Sequence, residues 1–309
     1  MRWSDFAYAQ YVTNEEYLYN SIMMLEALHR VEVQADRIIL YPEDYKVPVD
    51  NESSGDPTGK LLAQARDLYG AKLIPIQVQK IAKGDETWQE SYTKLLVFNQ
   101  TQYKRIISLD SDATVQKPMD ELFLLPPTTV AMPRAYWMDQ LFLSSHIVVI
   151  EPSEREWKRI ERSMYQNKDP GFDMDILNSL YNNTCAIIPH RRYGMLSLEL
   201  REEEHTNYLG TDEMWNGSKA LGEASFVHFS DWPRPKAWLE ASDLVIEAVQ
   251  PQCEKVGSEE ICTDRELWHS LYKDFADRRE VSPARNLPKP KANLADSGFV
   301  VVGMTISRI

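Results

Sequence analysis

The chain is poor in cysteine, and it lacks long apolar segments and glycine-rich phosphate loops. Three cysteines are too few for the disulfide framework of a small secreted domain. No apolar run is long enough to span a bilayer, and no signal peptide precedes Arg2. Neither GxGxxG nor GxxxxGK(S/T) occurs. These absences exclude a disulfide-framework domain, a membrane-spanning chain and the two commonest phosphate-binding loops.

Basic residues are also outnumbered: 34 Lys and Arg stand against 47 Asp and Glu, a net charge of -13. Nucleic-acid surfaces need clustered Lys and Arg, so we expect no nucleic-acid partner. A small anionic ligand is still compatible with this charge, because one metal ion and a few local cations can hold it. With 43% hydrophobic and 26% charged residues, the 309-residue chain suits one large globular domain or two small ones.

Apolar runs alternate with amphipathic segments in the first part of the chain. The runs lie at 6–12, 37–41, 72–78 and 105–109, and helical periodicity lies between them at 15–28, 60–69 and 86–98. This alternation predicts an α/β fold with a mostly parallel central sheet flanked by helices. Pro75 places the third strand at an edge or a bend. A polar loop is predicted at 50–59.

The remaining elements follow from the same patterns. We predict strands at 129–132, 146–150, 186–189 and 225–229, and helices at 118–123, 153–165, 172–178, 235–249 and from 264 onward. A linker containing Pro and Lys follows, to about residue 291. We expect one catalytic domain over 1–250 and a C-terminal extension over 251–309.

The stretch 105–115, RIISLDSDATV, is the most informative part of the chain. An apolar strand ends there in Asp110 and Asp112, one residue apart. Ligands of open α/β sheets bind at the carboxyl ends of the strands. Two carboxylates at that edge repel each other, and a hard divalent cation such as Mn²⁺ or Mg²⁺ relieves the repulsion. The alternative is an ordinary turn rich in Asp and Ser.

A histidine, His228, ends the late strand and is a candidate third ligand. Neutral imidazole binds Mn²⁺ well, so His228 could complete a site with Asp110 and Asp112. Arg234 and Lys236 in the following loop could meet phosphate oxygens. Without a glycine-rich loop, a metal would have to hold any nucleotide diphosphate. The alternative is a structural histidine followed by a solvated proline loop.

Four sequence blocks carry a resemblance to a known family. The blocks are YVTNEEY at 11–17, TKL at 93–95 with LDSDATV and MDELF at 109–123, FDMDILN at 172–178, and VHF with PKAW at 227–238. In these blocks and their order, the chain resembles the glycogenin-like and galactinol-synthase-like retaining glycosyltransferases of glycosyltransferase family 8. It is most similar to fungal members that transfer N-acetylglucosamine. The resemblance covers residues 6–240 and implies the GT-A fold.

The resemblance implies a role for each matching residue. Asp110, Asp112 and His228 would hold Mn²⁺, with Mg²⁺ as the alternative. The nucleotide sugar would contact Tyr11, Thr13, Asn14, Tyr17, Lys94, Ser111 and Lys236. The catalytic residues facing the donor sugar would be Asp139, Asp173 and Asp175.

The implied reaction transfers a hexose or N-acetylhexosamine, with retention, from a UDP-sugar to a glycan or another hydroxyl acceptor. UDP-GlcNAc is the favoured donor, while UDP-glucose and UDP-galactose stay open. Three departures from the family concern the sugar site: Ser144-Ser145-His146 replaces Asn-Ser-Gly, Met174 replaces Gln, and Asp231 replaces Gly in a longer loop.

Two alternatives use the same residues. Asp110 would be the nucleophile of a haloacid-dehalogenase-like phosphatase, because DSDATV also fits that family's motif. The departures also suit a non-catalytic binder of sugar nucleotides.

The compartment has opposing signals. The resemblance and four Asn-x-Ser/Thr sequons favour the Golgi lumen, with the sequons at Asn51, Asn99, Asn182 and Asn216. Membrane contact is expected only through an anchor absent from this chain, and the missing signal and transmembrane segments keep the cytoplasm open. Cys253 and Cys262 either pair with each other or are free thiols.

Overall fold

The computed structural model describes residues 1–48, 56–80, 90–166 and 171–281. Most of the predicted loop at 50–59, the start of the predicted helix at 86 and the linker after 281 lie outside these ranges.

Short strands and helices alternate along the chain. The strands are β1 (Phe6–Tyr11), β2 (Asp36–Pro42), β3 (Ala71–Ile76), β4 (Arg105–Leu109), β5 (Ala113–Val115), β6 (Val130–Pro133), β7 (Ile147–Ile150), β8 (Ala186–Ile188), β9 (Met195–Leu196), β10 (Phe226–His228), β11 (Glu254–Val256) and β12 (Glu259–Ile261). The α-helices are α1 (Glu15–Arg30), α2 (Pro57–Tyr69), α3 (Glu154–Gln166), α4 (Asp173–Tyr181), α5 (His190–Tyr193), α6 (Thr206–Leu209), α7 (Gly217–Glu223), α8 (Asp243–Val249) and α9 (Thr263–Val281).

The central sheet has seven strands in the order β3-β2-β1-β4-β7-β6-β8. Strands β3, β2, β1 and β4 pair in parallel, and β7 alone runs antiparallel to its two neighbours. Pro75 lies in the edge strand β3, as predicted. A second sheet has the order β5-β10-β9. The α/β fold with a mostly parallel central sheet is therefore confirmed.

Side chains that alternate along each strand fill cores on both faces of the central sheet. In β1, Ala7 and Ala9 belong to the core under α3 and α4, while Tyr8 belongs to the core on the opposite face. The second sheet shares a third core with α9, through residues such as Phe229 and Trp268. This packing gives the strand ends fixed positions at the edge where the two sheets meet.

Local sequence sets the ends of the first two helices. The side chain of Asn14 accepts a hydrogen bond from the Tyr17 backbone N–H at 3.1 Å and caps α1. Asp56 caps α2 in the same way, with Pro57 in the first turn. Gly70 ends α2 in the left-handed conformation, at φ 64°.

Three predicted helices differ from the structure. Within the described residues, the helix predicted at 86–98 is a 3-10 helix over Ser91–Asn99, and the one at 118–123 is a 3-10 helix over Asp120–Leu124. The helix predicted over 235–249 is confined to α8, because the prolines at 233 and 235 hold the preceding segment in turns.

The last described segment contains a small hairpin and a long helix. Cys253 and Cys262 pair in a disulfide; they lie just before β11 and just after β12, at the open end of the hairpin. Helix α9 packs Trp268 and Phe275 into the core of the second sheet. The division of the chain at residue 250 stays a prediction. Among the described helices, none is long and apolar enough to cross a membrane.

The left-handed conformation of Gly70 gives the first testable prediction. Gly70→Ala should lower the free energy of unfolding by about 1–2 kcal/mol, because a Cβ is strained at positive φ. Gly222→Ala in α7 is the matched control. Its Cβ would meet no atom within 4 Å, and alanine favours the helix, so stability should rise by up to about 1 kcal/mol. Urea unfolding measures both, and equal effects would contradict the prediction.

Candidate active site

Asp110-Ser111-Asp112 forms the turn by which the chain passes from the central sheet into the second sheet. Two backbone hydrogen bonds fix this turn: Asp110 N–H donates to His146 O at 2.9 Å, and Phe229 N–H donates to Asp112 O at 2.8 Å. The antiparallel pairing of β10 with β5 places His228 opposite Ala113. Strand pairing therefore brings residues 116 positions apart into one cluster.

The ligand atoms of Asp110, Asp112 and His228 all lie within 4.8 Å of one another. His228 Nε2 is 3.1 Å from Asp112 Oδ1 and 3.8 Å from Asp110 Oδ2. Two carboxylates and one imidazole are a donor set that suits Mn²⁺ or another hard divalent cation. The residues present thus fit a divalent metal, and the structure brings the three predicted ligands together; metal binding by them stays a prediction.

Lys94 lies on the other side of Asp110. Its Nζ is 2.8 Å from Asp110 Oδ1 and 3.0 Å from Asp173 Oδ2, and all three side chains are largely buried. Burial acts to lower the pKa of Lys94, but the charges of Asp110 and Asp173 outweigh it and raise that pKa. Lys94 is therefore a permanent cation that separates two buried carboxylates.

Lys236 plays the corresponding part beside Asp112. Its Nζ is 2.6 Å from Asp112 Oδ2 and also donates to Phe229 O at 3.1 Å. Burial acts to raise the pKa of Asp112, but His228 and Lys236 outweigh it and hold that pKa well below its usual range. For Asp110, burial prevails over the charge of Lys94, and its pKa is raised. The two aspartates are therefore electrostatically unequal.

Tyrosines line the side of the cluster nearest to α1. Tyr11 donates from its hydroxyl to Asp110 Oδ1 at 3.2 Å, and its ring lies 5.8 Å from Lys94 Nζ. Burial, then the charges of Asp110 and Asp173, raise the pKa of Tyr11, so its hydroxyl stays a hydrogen-bond donor. The ring of Tyr17 packs edge-on against Trp238, with centroids 5.8 Å apart. These aromatic surfaces could pack against a planar base.

Thr13, Asn14 and Ser111 surround the same edge in different ways. Thr13 is half-buried between β1 and α1, and Ser111 is buried between the two aspartates. Asn14 is exposed, and its side-chain oxygen already caps α1. A nucleotide contact for these three residues stays a prediction.

The three predicted catalytic aspartates lie in unlike environments. Asp173 is buried in the cluster and accepts from Ser145 Oγ at 2.8 Å. Asp175 is exposed and accepts from the Phe172 N–H at 2.8 Å at the start of α4. Asp139 is exposed on the loop 134–143, where it lines a pocket of about 320 Å³. Of these three, only Asp173 contacts the Asp110 cluster among the described residues.

Two residues beside the cluster were not predicted as site residues. Ser145 joins Lys94 to Asp173, since Lys94 Nζ contacts Ser145 O at 3.2 Å and Oγ at 3.3 Å. His146 stacks on His228 with ring centroids 5.2 Å apart, and its Nδ1 lies 2.6 Å from Ser144 Oγ. The sequence predicted a strand that begins at His146. It did not predict that this strand pairs with β4, which brings both residues to the cluster.

Relatives at the sequence level are fungal proteins. The chain is 49% identical over 284 residues to glucose N-acetyltransferase 1 of Gibberella zeae, covering 90% of this chain and 62% of that protein. It is 43% identical over 300 residues to glucose N-acetyltransferase 1 of Aspergillus fumigatus, covering 91% and 78%. The chain belongs to the glucose N-acetyltransferase 1 family. Glycogenin of Neurospora crassa is 24% identical over 57% of the chain and 25% of that protein. No family model matches the chain.

Solved glycosyltransferases share the fold of this family member. The bifunctional glycosyltransferase WbbM aligns at a TM-score of 0.57 and 12% identity, over 91% of this chain and 50% of that one. An active-site mutant of LgtC aligns at 0.54 and 12% identity, over 87% and 95%. These likenesses show the GT-A fold that the resemblance implied.

The two lysines of the cluster should differ in their contribution to stability. Lys94→Met leaves Asp110 and Asp173 buried without their shared cation, so the free energy of unfolding should fall by about 3–5 kcal/mol. Lys236→Met is the matched control. Lys236 is 32% exposed and should cost at most about 1 kcal/mol. Urea unfolding in the presence of a chelator measures both, and equal losses would refute this assignment.

Proposed function

We propose that the chain is a retaining glycosyltransferase that moves N-acetylglucosamine from UDP-GlcNAc to a hydroxyl acceptor, with Mn²⁺ held by Asp110, Asp112 and His228. The observation that carries the proposal is the partly buried cluster of two carboxylates and an imidazole, flanked by Lys94 and Lys236. A divalent cation bound there would supply Lewis-acid stabilisation of the leaving diphosphate.

The protein's own residues would stabilise the leaving diphosphate, bind the nucleotide and position the carboxylates. The side chain of Lys236 is 32% exposed and pairs with Asp112. It can therefore turn toward a bound diphosphate and stabilise the negative charge that develops there as the glycosidic bond breaks. Tyr11 and Tyr17 would hold the uracil and ribose, together with Thr13, Asn14 and Ser111. Lys94 is too deeply buried to turn toward the donor diphosphate. Its role would be to keep Asp110 and Asp173 in place.

Asp173 is the best candidate for the group that faces the donor sugar. Its contacts with Lys94 Nζ at 3.0 Å and with Ser145 Oγ at 2.8 Å are both made by Oδ2. Within the described ranges, Oδ1 has no hydrogen-bond partner. That oxygen could stabilise positive charge at the anomeric carbon or attack it, and either route is compatible with retention. Asp139 and Asp175 would contribute at most from the periphery.

The name of the relatives supports UDP-GlcNAc as the donor, but it also suggests a second candidate function. "Glucose N-acetyltransferase" combines glucose and an N-acetyl group, as N-acetylglucosamine does. Taken literally, the name describes transfer of an acetyl group to glucose. Carboxylates gathered for a divalent cation suit a sugar diphosphate better than an acetyl thioester, so we favour sugar transfer.

We further propose that the chain works in the Golgi lumen on a glycan acceptor. The disulfide between Cys253 and Cys262 suits an oxidising compartment. The sequon residues Asn99 and Asn182 are exposed, so they are accessible to glycosylation.

Replacing Asp112 with asparagine tests the metal and donor together. Titration calorimetry of UDP, with Mn²⁺ and with chelator, should show Mn²⁺-dependent binding that Asp112→Asn reduces at least a hundredfold, since a charged ligand is lost. Glu213→Gln is the control, because Glu213 also pairs with two cations, Arg191 and Lys219, but lies outside the cluster.

A donor panel then names the reaction. UDP-GlcNAc, UDP-glucose, UDP-galactose and acetyl-CoA with glucose are assayed for product, and UDP-GlcNAc turnover alone is expected. Unchanged UDP binding by Asp112→Asn would contradict the metal assignment. Consumption of acetyl-CoA would establish acetyl transfer instead.

Asp173 and Asp175, two residues apart, separate a catalytic from a capping role. Asp173→Asn should lower kcat at least a hundredfold, because a neutral amide stabilises developing positive charge poorly. Asp175→Asn should leave kcat within about threefold and cost about 1 kcal/mol of stability, since it only weakens the hydrogen bond that begins α4. Steady-state kinetics with thermal unfolding distinguishes them. A normal kcat for Asp173→Asn would sink the assignment.

A further inference from the structure

Asp231 is a buried carboxylate that fixes the loop between the candidate ligand His228 and Lys236. Its side chain is fully buried. Arg201 contacts Oδ1 through Nε and Nη2, both at 2.8 Å, while Trp268 Nε1 and the Tyr272 hydroxyl donate to Oδ2 at 2.5 and 3.3 Å. Arg201 also donates to Trp232 O at 2.9 Å. Four donors thus converge on one residue of this loop, which we call the donor loop (229–238).

Helix α9 presents an aromatic face to the donor loop. Trp268, Tyr272 and Phe275 recur at helical spacing on one side of α9 and are buried. The ring of Phe229 lies 5.1 Å from Tyr272 and 4.9 Å from Phe275.

Arg234, midway along the donor loop, lies flat on the same face. Its guanidinium is 3.7 Å from the ring centre of Tyr272 and 4.3 Å from that of Trp268. Asp231 and Arg234 therefore tie both the start and the middle of the loop to the helix.

The same helix also reaches the chain that follows the paired aspartates. Arg278 Nη2 donates to Thr114 Oγ1 at 3.0 Å, two residues after Asp112. Helix α9 thus contacts both segments that carry the candidate metal ligands, 110–115 and 226–238. A displacement of α9 would shift Asp112 and Lys236 together.

From these contacts we infer that Asp231 is a positioning residue and that α9 is an integral part of the donor site. Asp231 holds the donor loop so that Lys236 and His228 face Asp112, and it does so through Arg201 and the aromatic face of α9. This inference rests on the proposed function, since it concerns binding of the donor diphosphate. It also gives a role to Asp231, which lies at a position where the family that the chain resembles has glycine.

The test compares Asp231→Asn with Glu199→Gln. Asparagine keeps the size of Asp231, but its amide group cannot accept from both Trp268 and Arg201. Glu199 is another buried carboxylate of the same core, and it accepts from His205 Nδ1 at 2.7 Å without touching the donor loop. Calorimetry of UDP with Mn²⁺, kinetics with UDP-GlcNAc and thermal unfolding are measured for both variants and for the wild-type protein.

Asp231→Asn should raise the Kd of UDP and the KM of the donor about tenfold, while kcat stays within about threefold. Glu199→Gln should lower the unfolding temperature and leave both binding constants unchanged. Unchanged donor binding in Asp231→Asn, or equal changes in the two variants, would reduce Asp231 to a structural residue and overturn the inference.

A milder variant decides the matter if Asp231→Asn does not fold. Trp268→Phe keeps an aromatic ring on α9 and removes the indole N–H that donates to Asp231. It should raise the Kd of UDP about threefold, and an unchanged Kd would overturn the inference. A wild-type protein that binds no UDP would instead overturn the proposed function itself, and the inference with it.

Discussion

Mutual repulsion among three buried carboxylates is the constraint on which the rest of this site depends. Asp110, Asp112 and Asp173 gather where the central sheet passes into the second sheet, with side chains that are only 15%, 12% and 8% exposed. Burying charges without partners is costly, so each carboxylate has a cation beside it. Lys94 lies between Asp110 and Asp173, and Lys236 lies on Asp112. A divalent cation would take over part of that neutralisation and free Lys236 for a phosphate.

The fold supplies these partners from distant parts of the chain. Lys94 comes from a 3-10 helix beside the sheet, His228 from the second sheet, and Asp173 from the start of α4. Ser145, just before the strand β7 that pairs with β4, connects Lys94 with Asp173. No single element holds this arrangement: Lys94 and Asp173 come from elements of one core, and His228 comes from the second sheet. The cluster is closed around Lys94, which is 7% exposed, and more open toward Lys236, which is 32% exposed.

Side-chain packing accounts for two positions, 146 and 231, at which the sequence departs from the family it resembles. His146, where the family has glycine, fills the space beside His228 with a stacked ring and lies against Gly194, at which an added Cβ would come within 2.8 Å of His146 Nε2. Asp231, also at a glycine position of the family, is matched by Arg201 and Trp268. His146 and Asp231 thus each make specific contacts in this chain, and the charged residues of the cluster are in contact with one another.

The sequence by itself determined the α/β class, the strand that ends in Asp110 and Asp112, and most helix positions, because apolar periodicity and capping residues act locally. It also indicated His228, from its position at a strand end, and Lys236, from the basic loop that follows, and the family resemblance implied a role for both. Only the tertiary structure decided that the chain enters a second sheet at Asp112, that Asp173 rather than Asp139 or Asp175 joins the cluster, and that α9 supports the donor loop. These features depend on strand pairing and on contacts between residues that lie far apart in the chain, such as Lys94 with Asp173 and Trp268 with Asp231, which no local pattern encodes.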